Sequence, residues 1–294
     1  MNTDEKPKIY GVVGPTASGK TDYAIKLAAE CGGEVVSCDS MQIYRHMDIG
    51  TAKPTKEEMD GIPHHMIDIA EPWENFSVAK FAQMARECIG DILSRRKVPI
   101  LCGGTGLYFD SVINNIDFKE SESDPEYRRE LELLAKRHGN EYVHNMLKEI
   151  DPQSAENSHP NNLKRVIRAL EIYKITGVTK TQLDKESRRE RLYDAEVFGM
   201  LRERDELYSR IDRRVDIMMQ QGLLSEVENL LRMGLNPNST AMQAIGYKEL
   251  VEYLNGDCTL DEAVGKIKLS SRRYAKRQMT WFKRNKEIKW LNMC

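Results

Sequence analysis

Short β-branched and apolar runs alternate with helical periodicity along the first hundred positions. The run IYGVV at 9–13 predicts a strand, residues 22–29 the helix after it, and EVVSC at 34–38 a second strand. Ser77 stands as an N-cap before Val78, Phe81, Ala85, Cys88, Ile89, Ile92 and Leu93, which recur at helical spacing. VPILC at 98–102 then predicts a buried strand, broken by GGTG at 103–106. Strand, helix and strand in this order argue for a parallel sheet with helices on both faces. Loops at the carboxyl ends of its strands then form the site. Residues 50–65 are turn-rich and poorly periodic, which places them in a loop on the same side.

After Asn114 the pattern changes. Residues 120–160 are charged and helix-prone, punctuated by Asp124-Pro125, Asp151-Pro152 and His159-Pro160. RVIRALEIYK at 165–174 predicts a strong helix ended by Thr176-Gly177, and residues 195–200 a late core strand. Helices are predicted over 207–222, 223–232 and 259–282, and no internal repeat is present. The expected organisation is an α/β core over 1–116 and 194–294, interrupted by a helical insertion over 117–193.

Composition narrows the class. The 294 residues carry a net charge of −2, with 31% charged and 40% hydrophobic, an ordinary globular balance. No apolar run approaches the length of a bilayer span and the start holds no hydrophobic signal segment, so a cytoplasmic protein with no membrane partner is expected. The six cysteines form no C-x-x-C pair, and Cys38 and Cys102 read as small core residues. His64 and His65 are adjacent, so their side chains diverge rather than share a metal.

The near-neutral total hides an asymmetry. Residues 269–290 hold eight basic side chains against one acid, leaving the rest of the chain near −9. Tyr274, Trp281, Phe282 and Trp290 interleave with them. The residues alone leave two readings: a grip on a polyanion, or an amphipathic closing helix with a basic solvent face.

The most specific chemistry is GPTASGKT at 14–21, the full G-x-x-x-x-G-K-T spacing between a strand and a helix. Glycines let the backbone curl around an anion, and the helix behind presents its positive end. Gly14, Thr16, Ala17, Ser18 and Gly19 would cradle phosphates, Lys20 reach their terminal oxygens and Thr21 hold Mg²⁺. Asp39, one residue past a strand, can ligate magnesium through water, accept a proton or merely cap the next turn. Thr105 can donate a hydroxyl to a phosphate or sit in an ordinary tight turn. Arg210 and Arg214 lie four apart on one helix face, suited to phosphates or to solvent.

Together the segments GPTASGKT (14–21), DSMQIYRHMDIGTAKP (39–54), IPHHMIDI (62–69), GGTGLY (103–108), RVIRALEIYKITG (165–177), RIDRRVDIMMQQGLLSEV (210–227), AIGYKEL (244–250) and RRYAKRQMTWF (272–282) resemble the tRNA dimethylallyltransferase family. They occur in the family's order over nearly the whole chain. The resemblance implies a fold like a P-loop nucleotide kinase: a parallel sheet flanked by helices, with a helical insertion domain. It implies transfer of the dimethylallyl group from dimethylallyl diphosphate to N6 of adenosine 37 in tRNAs reading codons that begin with U, releasing pyrophosphate. Asp39 is then the general base, with Thr105 and Arg214 catalytic at the phosphates and Mg²⁺ as cofactor. Contacts with the tRNA anticodon stem-loop map onto Asp39, Ser40, Met41, Gln42, Thr105, Arg128, Asn162, Leu163, Lys164, Arg165 and Val166. They continue through Gln243, Ala244, Ile245, Gly246, Tyr247, Lys248, Lys276, Arg277, Gln278, Trp281 and Lys283. The insertion and the basic helix would clasp the stem-loop, and a monomer is expected. The chain ends without the zinc-finger pattern of some eukaryotic members and so resembles the short bacterial form. Two other readings stand beside this one: an ATP-dependent nucleoside or nucleotide kinase, and an RNA-binding protein whose phosphate loop is a nucleotide switch.

Overall fold

The computed structural model describes residues 6–118, 123–187 and 189–293. Residues 120–122 of the stretch read as helix-prone therefore lie outside the described residues. Two compact units are present, one formed by residues through Ile113 together with Arg191 onward, the other by Asn114–Glu190.

Among the described residues the first unit is built on six parallel strands. These are β1 (Lys8–Val13), β2 (Gly33–Ser37), β3 (His64–His65), β4 (Val98–Gly103), β5 (Asp194–Leu201) and β6 (Lys289–Asn292), in the order β3-β2-β4-β1-β5-β6. Adjacent residues of each strand face opposite sides. Val13, Val36 and Leu101 therefore pack with Phe81, Ile89 and Phe109, while Val12, Val35 and Ile100 pack with Ala24 and Ala28. Both faces are covered, so the inner strands read as unbroken apolar runs rather than alternating ones. Register carries the functional consequence. Val13 lies opposite Gly103, Ser37 opposite Cys102 and Val13 opposite Gly199, so β1, β2 and β4 end level.

Helices α1 (Lys20–Cys31), α2 (Val78–Ser94) and α3 (Gly106–Ile113) precede the insertion. Ser77 caps α2 as expected, its Oγ accepting from the Lys80 N–H at 3.1 Å. The insertion holds α4 (Pro125–His138), α5 (Asn140–Ile150), α6 (Pro152–Glu156), α7 (Leu163–Thr176) and α8 (Lys180–Glu186) around a core of Leu131, Val143, Leu147, Val166, Ile167 and Leu170. After it come α9 (Arg204–Gln220), α10 (Leu223–Arg232), α11 (Tyr247–Leu254) and α12 (Leu260–Phe282). These four bury Val215, Val227, Leu230, Tyr247, Leu250 and Ile267 against Ile43, Tyr44 and Met47.

Four elements depart from the expectation. Helices α3 and α11 form where no helix was read. His64–His65 is not loop but a two-residue strand, too short to show a period. The basic stretch at 269–290 spans two elements: α12 ends at Phe282, where the sequence places it, and Lys289 begins β6, a strand the sequence does not predict. Phe282 and Ile288 are core residues, and Trp290 packs against that core. Phe282 is therefore not available as a stacking platform, and Trp290 is half-buried.

Candidate active site

The level strand ends deliver three loops to one place. The first follows β1. Gly14 has φ 156° and Gly19 φ 92°, and a Cβ on Gly14 would fall 2.9 Å from Ser18 Oγ. The loop is braced from outside: Arg210 Nε donates to the Ala17 carbonyl at 2.9 Å and Arg202 Nε to the Ser18 carbonyl at 3.1 Å. With these carbonyls engaged, the first-turn N–H groups of α1, which have no acceptor inside the helix, are left for an anion. Ser18 Oγ is buried with no protein partner among the described residues. Lys20 Nζ rests on the Pro15 carbonyl at 3.3 Å, and burial lowers its pKa. An ammonium held that way gains most when phosphate arrives.

The second loop follows β2. Asp39 Oδ1 accepts from the N–H of Met41 at 2.9 Å and of Gln42 at 3.4 Å. That turn fixes the carboxylate and leaves Oδ2 without a protein donor among the described residues, so capping engages only one of its oxygens. The third loop follows β4. Thr105 N–H donates to the Cys38 carbonyl at 3.1 Å, and its Oγ1 accepts from Ser40 N–H at 3.1 Å. Thr105 thus ties the third loop to both sides of Asp39.

Helix α9 supplies the opposing charge. Arg210 and Arg214 share a face, but only Arg214 turns into the cavity, where it makes no ion pair among the described residues. Burial lowers its pKa, while Asp39, Glu58 and Asp22 pull it back up. The cavity has a volume of about 340 Å³ and is lined by Thr16, Lys20, Thr21, Asp39, Ser40, Met41, Gln42 and Arg214. Apolar Ile211, Val215, Met218, Ile245 and Ile267 line it too. Charged groups for phosphate together with apolar surface suit an amphiphilic diphosphate. The sequence reading missed this apolar lining, although 211, 215 and 218 keep a helical period beside Arg214. It also missed Tyr274, which lines the cavity and whose hydroxyl pKa burial raises to about 12.

Mg²⁺ fits this donor set. Among the described residues Thr21 lines the cavity with no side-chain hydrogen bond, and no cluster of three or more His, Cys, Asp or Glu is present. Magnesium bound mainly by phosphate oxygens and water needs no protein cage.

The remaining site candidates scatter. Gln243, Ala244, Ile245, Gly246, Lys248 and Arg277 line the same cavity. Gln42 is fully engaged, donating to the carbonyls of Thr51 and Ala52 at 3.3 and 3.1 Å and accepting from Ser37 Oγ at 3.0 Å. Tyr247, expected at the RNA, is 0% exposed and donates its hydroxyl to Glu226 at 2.6 Å. Val166 is equally buried, so neither side chain has surface to offer. Trp281 Nε1 donates to Asp110 Oδ2 at 2.9 Å, while Lys276 and Lys283 are exposed. In the insertion, Asn162, Leu163 and Lys164 line a second hollow and Arg165 is exposed. Arg128 pairs with the fully buried Glu171 at 2.7 and 2.8 Å.

The chain is similar to known proteins over nearly its whole length. A family described as IPP transferase covers residues 42–285, and one described as isopentenyl transferase covers residues 7–71. A tRNA dimethylallyltransferase of Alkaliphilus oremlandii is 51% identical over 288 residues, 98% of this chain and 92% of that protein. One from Caldanaerobacter subterraneus subsp. tengcongensis is 52% identical over 286 residues, covering 96% and 91%. Among solved structures, the full-length tRNA isopentenylpyrophosphate transferase of Bacillus halodurans is 47% identical with TM-score 0.73, covering 98% of this chain and 90% of that one. A eukaryotic dimethylallyltransferase acting on tRNA superposes with TM-score 0.78 at 30% identity, covering 97% and 74%. Among the described residues no helix is long and apolar enough to cross a membrane.

Proposed function

We infer the reaction of this site from one premise: the chain belongs to the tRNA dimethylallyltransferase family. It is a prenyltransferase that moves the dimethylallyl group of dimethylallyl diphosphate onto tRNA. The finer assignment we propose is N6 of adenosine 37, in tRNAs that read codons beginning with U, with pyrophosphate as the second product. The observation that carries it is that Lys20, Asp39 and Arg214 line one cavity together with apolar side chains.

The diphosphate sits on the phosphate loop, where Lys20, Arg214 and the α1 N-terminus meet negative charge as the allylic C–O bond breaks. The five-carbon chain lies against the apolar side chains of the cavity. Mg²⁺, when bound at Thr21, shields the leaving group's charge. The N6 lone pair attacks the allylic carbon, the C–N bond forms, and the amine proton passes to Asp39. The carboxylate is already aimed by its turn and needs no reorganisation. An adenine in an anticodon loop is weakly stacked and enters a pocket at small cost. Thr105 acts here through the Asp39 loop, holding it rather than the phosphates. The exposed part of α12 and the insertion supply the RNA contacts.

Purified protein with Mg²⁺, labelled dimethylallyl diphosphate and unmodified tRNA tests this, read by nucleoside analysis. Label is expected at N6 of adenosine 37, and Asp39→Asn should lower kcat by about 10²- to 10⁴-fold. No transfer across a full tRNA pool, with ATP-dependent phosphorylation of a small acceptor instead, would overturn the assignment in favour of a kinase.

A further inference from the structure

Gln278 resembles a tRNA-contact residue by its place in the basic helix, yet it is 4% exposed. Both ends of its amide are used inside the protein. Oε1 accepts from the Thr16 N–H at 2.9 Å, and Nε2 donates to the Gly104 carbonyl at 3.0 Å. Thr16 belongs to the phosphate loop. Gly104 precedes Thr105, which bonds the residues on either side of Asp39. One amide therefore joins the loop that holds the leaving group to the loop that carries the proton acceptor.

The fit is close. A Cβ on Gly104 would come 2.1 Å from Gln278 Nε2, and one on Gly106 2.2 Å from the Trp281 ring. Trp281 lies one turn beyond Gln278 and donates to Asp110 at 2.9 Å, so α12 is pinned next to the amide. Only a side chain presenting an acceptor and a donor together completes both bonds. Glutamate loses the donor and adds negative charge beside the phosphate loop, and methionine of similar size offers neither group.

We propose that Gln278 is a positioning residue that sets the phosphate loop against the Gly104-Thr105 turn, and so sets the allylic carbon against the attacking amine. This deepens the reaction assigned above and rests on it. In-line transfer is sensitive to such spacing: a misplacement of about 1 Å can cost ~10²-fold in rate.

Two variants test the clamp from opposite sides, Gln278→Met and Gly104→Ala. The readouts are thermal melting, steady-state kinetics with each substrate varied, and calorimetric titration with pyrophosphate in the absence of RNA. For both variants pyrophosphate affinity is expected to fall about tenfold, from the lost buried hydrogen bonds. KM for dimethylallyl diphosphate rises and kcat falls, while KM for tRNA stays within about twofold. A rise in KM for tRNA with unchanged pyrophosphate affinity would instead make Gln278 an RNA contact and overturn the proposal. Wild-type kinetics in both variants would overturn it too. Should Gln278→Met fail to fold, Gly104→Ala decides alone. If the wild-type protein transferred no label, the reaction would be wrong, yet pyrophosphate titration would still decide whether the clamp exists.

Discussion

Arg210 and Arg214 stand one helical turn apart and do different work. Arg210 completes the phosphate loop by donating to Ala17, whereas Arg214 enters the cavity with no protein partner among the described residues. A guanidinium held against burial without an ion pair is disfavoured until an anion arrives. A charge-assisted hydrogen bond contributes about 1.5–3 kcal/mol, or roughly 10- to 100-fold in affinity. Arg214→Met is therefore expected to raise KM for dimethylallyl diphosphate by that factor in steady-state assays. Its melting temperature should stay level or rise, because a strained charge is removed. Arg214→Lys should recover little, since a point charge does not reproduce the planar fork. A marked fall in melting temperature for Arg214→Met would show that the residue serves the fold instead. The shared face of the two arginines was legible in their spacing. Their division of labour was not, because it depends on which one the phosphate loop meets. Gln42, Tyr247 and Gln278 were hidden for the same reason: polar or aromatic residues inside a functional motif serve either the ligand or the loop that faces it, and only contacts separate the two.

At the scale of elements, β1, β2, β4 and α2 were written in the sequence because apolar period and capping agree there. Strands β3 and β6 were not, since each lies at a sheet edge and draws its pairing from a distant partner. Lys289 in β6 bonds Glu196 in β5 at 2.7 Å, so a residue counted among the RNA-facing charges belongs to the sheet. The opposite edge carries a titratable lock. Glu34 on β2 is gripped by Arg95 at the end of α2 and by His65 on β3 at 2.7 Å. Arg95, more than His65, holds its carboxyl down from 4.5 to about 2 against the opposing effect of burial. Across that window the unfolded chain binds a proton that the folded chain refuses. The contribution to stability is therefore whole above about pH 4.5 and lost as pH falls through about 2. Glu34→Gln is expected to melt lower than wild type at pH 7, with the gap closing in thermal melts taken down to pH 2.5. An equal gap at both pH values would mean that the ion pair contributes nothing through charge.

Over the whole molecule, a net charge of −2 would repel RNA if it were spread evenly. It is not, and the structure sorts the eight cations of 269–290 further. Arg272 is paired with Asp212 and Lys289 with Glu196, while Arg273, Lys276, Arg277, Lys283, Arg284 and Lys286 are exposed with no ion pair among the described residues. Unpaired exposed cations bind phosphates by releasing condensed counterions, so each contact adds about one unit or slightly less to the salt dependence of the affinity. Lys276→Gln with Lys283→Gln is expected to weaken tRNA binding in filter or fluorescence titrations and to flatten the plot of log affinity against log salt by about 1.5 to 2 units. Arg272→Gln should instead lower the melting temperature by breaking its pair with Asp212, with little change in that slope. The two pairs of measurements separate charge that meets RNA from charge that holds α12 to α9. A slope unchanged in the double lysine variant would move the RNA grip off this helix and leave the insertion to supply it.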